Sequence, residues 1–225
     1  MEYIQLNNGI KMPSIGFGVY QIPLLMTKQC VLDALAIGYR HIDTARNYGN
    51  EREVGEALID SGISRAEIFL TTKIYGADSY RQACQYIDEA LNKLQTKYID
   101  LMLFHWPSGN ITETYRAMED YYKAGKLKAI GLSNFFIHDF NTVISSCTII
   151  PMVNQVEAHI FYQRKVFQKD MNQYGIKLEA WSPLACGKNN IFGNLILEKI
   201  AKSHRKSTAQ VALRFLNQKG IAIIP

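Results

Sequence analysis

Short apolar runs rich in Ile, Val, Leu and Tyr recur along the chain at residues 14–18, 39–43, 67–73, 98–105, 127–133, 152–155, 176–181 and 221–224. Runs of this length bounded by polar or turn-forming positions read as buried strands. Their starts are 25, 28, 31, 29, 25, 24 and 45 residues apart, so segments of similar length separate most of them. Those segments have a helical period. Cys84, Ile87, Leu91 and Leu94 step by three or four, as do Val54, Ala57 and Leu58, which puts each set on one helix face. Ser207 or Thr208 caps a stretch carrying Val211, Ala212, Phe215 and Leu216, and Gly220 closes it.

Strands alternating with helices predict an α/β fold with a parallel sheet and right-handed crossovers. An open doubly wound sheet and a closed eightfold barrel both satisfy this pattern. The strand count and repeat favour the (β/α)8 TIM barrel, which typically needs about 250 residues. A dinucleotide-binding open sheet would carry GxGxxG after its first strand. Here Gly16-Phe17-Gly18-Val19-Tyr20-Gln21 lacks the third glycine. Ahead of the first strand, residues 3–6 and 10–12 flank Asn7-Asn8-Gly9, a hairpin signal. Such a hairpin would plug the bottom of the barrel. No linker interrupts the pattern, so residues 1–225 read as one domain.

Composition excludes several function classes. With 48% hydrophobic and 20% charged residues the chain is neither disordered nor collagen-like. No apolar run approaches the ~20 residues of a membrane span, and the first residues carry no secretory pattern. Cys30, Cys84, Cys147 and Cys186 lie far apart without a CxxC pair. They read as reduced buried thiols of a cytoplasmic protein, with no zinc or disulfide framework. A net charge of +5 is too mild for a nucleic-acid binder, but residues 163–220 hold eleven Lys/Arg against Asp170, Glu179 and Glu198. That basic third suits a phosphorylated small ligand; a solvated basic surface is the competing explanation.

Polar residues close three of the apolar runs: Asp43 the second, Lys73 the third and His105 the fourth. Chemistry in such barrels collects at the carboxyl ends of the strands. Tyr48 follows Asp43 in the loop above the same strand. A free tyrosine, with a pKa near 10, is a poor acid at neutral pH. A neighbouring ammonium stabilises the phenolate and lowers that value, a carboxylate holds the ammonium, and an imidazole orients a bound carbonyl. Singly, Asp43 reads equally as a helix cap, Lys73 as a surface charge and His105 as a core histidine. Their convergence on adjacent strand ends favours a proton-transfer set.

The residues around this set resemble a known family. Gly38-Tyr39-Arg40-His41-Ile42-Asp43-Thr44-Ala45-Arg46-Asn47-Tyr48-Gly49-Asn50-Glu51, followed by Val54-Gly55, resembles the first signature of the aldo-keto reductases. Lys126-Leu127-Lys128-Ala129-Ile130-Gly131-Leu132-Ser133-Asn134-Phe135 resembles the second. Leu103-Phe104-His105-Trp106-Pro107 and Val153-Asn154-Gln155 match further landmarks, and Ala180-Trp181-Ser182-Pro183-Leu184 resembles the bacterial 2,5-diketo-gluconate and glyoxal reductase branch.

The resemblance implies NADPH-dependent reduction of aldehydes and ketones. It makes Tyr48 the proton donor, Lys73 and Asp43 the groups that lower its pKa, and His105 the group that orients the substrate. It implies that Ser133, Asn134 and Gln155 bond the nicotinamide carboxamide and that Trp181 stacks on the ring. Gly18, Thr44, Ser182 and Leu184 would complete the cofactor site, and Tyr20, Tyr75 and Trp106 would form substrate walls. In the family the eighth strand leads to a Lys-Ser/Thr pair and an Arg that grip the 2′-phosphate, then a final helix and C-terminal loop. This sequence stops at Ile223-Ile224-Pro225. The resemblance therefore implies a barrel truncated after its eighth strand, with NADH admitted beside NADPH. A monomer is expected, with association through the uncovered last strand, whose apolar residues would face water. The alternative is a weak or inactive relative that only binds nucleotide or a partner.

Overall fold

The computed structural model describes residues 2–225. A two-stranded antiparallel hairpin, β1 (Tyr3–Gln5) and β2 (Lys11–Pro13), precedes everything else. Its turn uses Gly9 at φ +87°, and two asparagines beside it act as grips. Asn7 Nδ2 donates to the Pro151 carbonyl at 3.0 Å and Asn8 Nδ2 to the Lys128 carbonyl at 3.0 Å, so the hairpin is tied to loops at the amino-terminal end of the barrel. Met12 and Leu6 are buried there, as a plug requires.

Eight parallel strands follow. They are β3 (Phe17–Gly18), β4 (His41–Asp43), β5 (Phe69–Ile74), β6 (Leu101–Phe104), β7 (Ile130–Ser133), β8 (Val153–Glu157), β9 (Lys177–Trp181) and β10 (Ala222–Ile224). They pair in chain order from β3 to β10. A parallel bridge between Ile15 and Ile223 joins the two ends, with Gly16 N–H donating to the Ile223 carbonyl and Ile223 N–H to the Ser14 carbonyl. The result is the expected (β/α)8 barrel. Its core runs through Ile42, Leu70, Leu103, Leu132, Val153 and Ala180, each buried.

The crossovers are α1 (Leu24–Ala36), α2 (Glu51–Asp60), α3 (Tyr80–Lys93), α4 (Ile111–Lys123), α5 (Ile137–Ser146) and α6 (Lys165–Gln173). Ala83, Ile87, Ala90 and Leu94 bury the inner face of the α3 region; of the residues whose spacing predicted the helix, Ile87 and Leu94 are buried, while Cys84 and Leu91 flank that face half-buried. The last two apolar runs start 45 residues apart, and the interval holds two helices, α7 (Leu195–His204) and α8 (Thr208–Asn217), after a loop with two short 3₁₀ turns. Ser207 caps α8 in a reciprocal box with Gln210, satisfying two helix-end N–H groups, and Gly220 adopts φ +71° beyond it.

The expected exposure of the last strand is not what the packing shows. Ala222 and Ile223 are fully buried and Ile224 nearly so. Exposed apolar surface lies instead on the flanking groups: α1 and α8 stand apart and leave an apolar groove of about 1040 Å³ lined by Ile15, Ile37, Val211 and Phe215.

At the opposite end, loops meet closely above the strands. A Cβ on Gly76, after β5, would lie 1.6 Å from the Ser108 carbonyl oxygen after β6, so only glycine allows those two loops to touch. No helix among the described residues is long and apolar enough to cross a membrane.

Candidate active site

The carboxyl ends of the strands surround a cavity of about 770 Å³. Asp43 enters it from β4, Ser133 from β7, Gln155 from β8 and Trp181 from β9; His105 follows β6. Tyr48 belongs to a 3₁₀ turn, Arg46–Tyr48, that Gly49 terminates at φ +73°. That turn is fastened on several sides. Arg46 lies over the Tyr86 ring and pairs with Glu89 at 2.8 Å. Buried Asn50 accepts from Thr44 Oγ1 at 2.7 Å and donates to the Val19 carbonyl at 3.0 Å, and Glu51 accepts from Thr72 Oγ1 at 2.7 Å. These bonds anchor the turn to the ends of β3, β4 and β5 before substrate arrives.

Lys73 is fully buried in β5, behind the cavity wall. An ammonium has three protons to donate. Here one goes to Asp43 Oδ1, one to the Thr44 carbonyl at 3.0 Å, and Tyr48 Oη lies 3.5 Å from the same nitrogen. A buried cation needs this compensation. Burial works against the Lys73 charge, yet Asp43 and Tyr48 outweigh it and hold the ammonium above its ordinary range.

The electrostatics of Tyr48 differ from the sequence expectation. Burial raises its pKa more strongly than the Lys73 ammonium lowers it, so the phenol keeps its proton more firmly than a free tyrosine. Sequence spacing reveals the neighbouring charge but not the desolvation that competes with it. His105 is shifted the other way: burial, with a smaller push from Lys73, lowers it to about 3. It is neutral at physiological pH. Its Nδ1 is sealed and without a partner, and a buried bare nitrogen is tolerated more readily than a bare N–H. The proton therefore belongs on Nε2.

Gly18, Tyr20, Tyr48, Tyr75, His105, Trp106, Ser133, Asn134, Gln155, Trp181, Ser182 and Leu184 all line the one cavity. The Tyr20 and Tyr48 rings are 4.9 Å apart and the Tyr75 and His105 rings 5.2 Å apart, so aromatic walls stand on both sides of the cluster. Thr44 is the exception. It is fully buried away from the cavity and its hydroxyl is spent on Asn50; only its carbonyl serves the site, through Lys73.

Asn134, at φ +62°, is also more committed than expected. Its Oδ1 accepts from Trp181 Nε1 at 2.9 Å, while its Nδ2 donates to Ser133 Oγ and the His105 carbonyl. It ties three strand ends together.

Sequence reasoning did not single out Asn47, Gln21, Pro183, Cys186, Ile224 and Pro225, which also line the cavity. Cys186 has a visible signal in retrospect, since it lies four residues beyond Ser182 and its Sγ is 2.9 Å from Ser182 Oγ. Among the described residues no group of three or more His, Cys, Asp or Glu side chains could hold a metal ion.

Comparison with known proteins agrees with this geometry. The sequence profile of the aldo/keto reductase family matches residues 15–225. The glyoxal reductase of Bacillus subtilis (strain 168) is 41% identical over 231 residues, spanning 100% of this chain and 82% of its own length. Methylglyoxal reductase DkgA of Escherichia coli (strain K12) is 36% identical over 225 residues, covering 99% of this chain and 82% of its own. The crystal structure of an aldo/keto reductase from Brucella melitensis superposes with a TM-score of 0.94 at 40% identity, over 100% of this chain and 87% of that one. A barrel with this cluster at its mouth, matched along its length by reductases at such identities, belongs to the aldo/keto reductase family and is an oxidoreductase of carbonyl compounds.

Proposed function

We propose that the chain reduces small aldehydes and ketones to alcohols, with NADPH, or less favourably NADH, supplying the hydride when bound. The observation that carries this reading is the convergence of Tyr48 Oη, the Lys73–Asp43 pair and neutral His105 on one cavity. Tyr48 holds a proton across neutral pH and gives it to the carbonyl oxygen as negative charge develops there. The phenolate left behind faces Lys73 Nζ at 3.5 Å, so the ammonium stabilises the product of proton transfer more than its reactant. Asp43 keeps that ammonium in place. His105 donates from Nε2 to the same carbonyl oxygen and fixes its direction.

The residues present fit a nicotinamide group. Both N–H bonds of Gln155 Nε2 are taken by Asp43 and Glu179, which leaves its Oε1 to accept from a carboxamide. Ser133 Oγ lies beside it at the end of β7, and the Trp181 indole is held by Asn134 at the cavity edge. Gly18, Ser182 and Leu184 would contact the rest of the cofactor, while Tyr20, Tyr75 and Trp106 would receive the substrate. Residues 1–225 act as one reductase domain in this reading, on a diffusible carbonyl compound. Its four free cysteines, of which Cys30, Cys84 and Cys147 are half-buried and Cys186 exposed where buried thiols were expected, suit a reducing, cytoplasmic setting.

The test is oxidation of NADPH by the purified chain with a small dicarbonyl, with cofactor varied from micromolar to millimolar and Tyr48→Phe as control. Turnover that the variant abolishes without loss of cofactor binding supports the reading. A folded chain that binds cofactor but turns over no carbonyl makes it a binding protein instead.

A further inference from the structure

Beneath the Lys73–Asp43 pair lies a second carboxyl that proton transfer, as described, does not use. Glu179 sits in the middle of β9, paired across the sheet with Gln155 of β8 and Ala222 of β10, and is fully buried. Its Oε2 accepts from Gln155 Nε2 at 2.7 Å, and the same nitrogen donates to Asp43 Oδ2 at 2.8 Å. Glu179 Oε1 has no hydrogen-bond partner. His41 Nε2, from β4, is 3.9 Å from it and is itself 2.9 Å from Thr71 Oγ1 of β5. Lys73, also from β5, bonds Asp43 rather than Glu179.

Two carboxyls clasped by one amide in a dry core, beside a single ammonium, cannot both ionise cheaply. Asp43 has the ammonium, so the proton rests on Glu179. An amide atom shared by Asp43 and Glu179 must be the NH₂, because the carboxylate of Asp43 can only accept. Asp43 thereby fixes which way round the Gln155 amide lies, and Glu179 holds its second N–H.

We propose that Glu179 is a positioning residue of the reductase site, a neutral carboxyl that locks the Gln155 amide against Asp43 and whose ionisation slows reduction at alkaline pH. Burial first, then Asp43, push the Glu179 carboxyl up to about 8, against weaker opposing pulls from Gln155 and Lys73. Burial lowers His41 to about 4, so β4 offers no compensating cation at neutral pH. Below pH 8 the layer of Lys73, Asp43 and Glu179 is neutral overall; above it the layer gains a negative charge. Forming a phenolate at Tyr48 then meets added repulsion, and Tyr48 becomes a weaker acid.

The kinetic half of this inference rests on the proposed reductase function; the protonation half does not. Carbonyl reduction by the whole chain is followed from about pH 6 to about pH 10, beside Glu179→Gln, whose amide oxygen still accepts from Gln155. Wild-type kcat is expected to fall with an inflection near pH 8, and the variant to keep its rate at least one pH unit further. Superimposable profiles overturn the proposal while leaving the reductase reading intact. Infrared difference spectra of the wild-type chain alone supply the second measurement. A neutral carboxyl band at neutral pH, lost near pH 8 and missing from Glu179→Gln, supports the assignment; its absence from the wild type at neutral pH overturns it, whatever the activity. Failure of the wild type to reduce any carbonyl overturns the reductase reading and the rate control together. That outcome is told apart from superimposable profiles because nothing turns over.

Discussion

The Lys73 ammonium, fully buried, lies 3.5 Å from the Tyr48 hydroxyl and is bonded to Asp43 beside it. Tyr48 thus sees an ammonium, partly offset by Asp43, on one side and the cavity on the other. Replacing it with Phe removes the proton and keeps the ring. Turnover is expected to drop by roughly 10²–10⁴, with cofactor affinity within a factor of two and an unchanged melting curve. Steady-state kinetics beside a fluorescence titration of NADPH separate the two effects.

Lys73→Met strips Asp43 of its partner inside the barrel. An uncompensated buried charge costs about 3–5 kcal/mol, so the denaturation midpoint should fall sharply along with activity. Adding Asp43→Asn should recover part of the stability and none of the turnover. Additive losses in the double variant would mean that the two residues do not form a unit.

Asn50→Ala touches neither substrate nor cofactor, yet it frees the Thr44 hydroxyl and leaves the Val19 carbonyl with only the Ile22 N–H as donor, at 3.4 Å. Leaving the buried Thr44 hydroxyl unpaired should cost about 1–3 kcal/mol. The Arg46–Tyr48 turn loses one of its fastenings, so kcat should fall several-fold with little change in substrate KM. A raised KM at constant kcat would count against this positioning role.

Acid should destabilise the fold through His41. Burial holds its pKa near 4, below the 6.5 of the unfolded chain. The unfolded state therefore binds the proton first as pH falls. Stability attributable to the neutral ring is full above about 6.5 and is lost progressively down to about 4, a change of roughly 3 kcal/mol. His105, lowered to about 3, acts in the same direction. Urea midpoints measured across that window should fall with acidification, and His41→Gln should flatten the slope.

Asp43, Lys73 and His105 are legible in the sequence because each is a polar residue breaking an apolar run at a strand end. The barrel is legible for a similar reason: near-regular spacing of strands is itself an architectural signal. Glu179 is not legible. An inward-facing acid within a strand looks like ordinary alternation, and its meaning depends on Gln155 and, through it, on Asp43, which is 112 residues from Gln155. Asn50 and Glu51 sit inside a recognisable motif, but their fastening bonds reach Val19 and Thr72 on other strands. Of the two helices between β9 and β10, α8 is legible from its Ser207 cap and apolar period while α7 is foreshadowed only by an overlong gap; the raised pKa of Tyr48 depends on burial, which no local pattern reports.

The bridge that closes the barrel joins Ile15 to Ile223, residues 208 positions apart. Loop closure over such a span is among the slowest contacts a chain can make. During synthesis, β3 waits as an open sheet edge until β10 has emerged, and the growing sheet carries a second open edge at its newest strand. Open edges recruit other strands. The vulnerable interval for this protein is therefore set by translation time across its whole length, and a chaperone that covers the β3 edge would act on the rate of productive folding without altering the finished site.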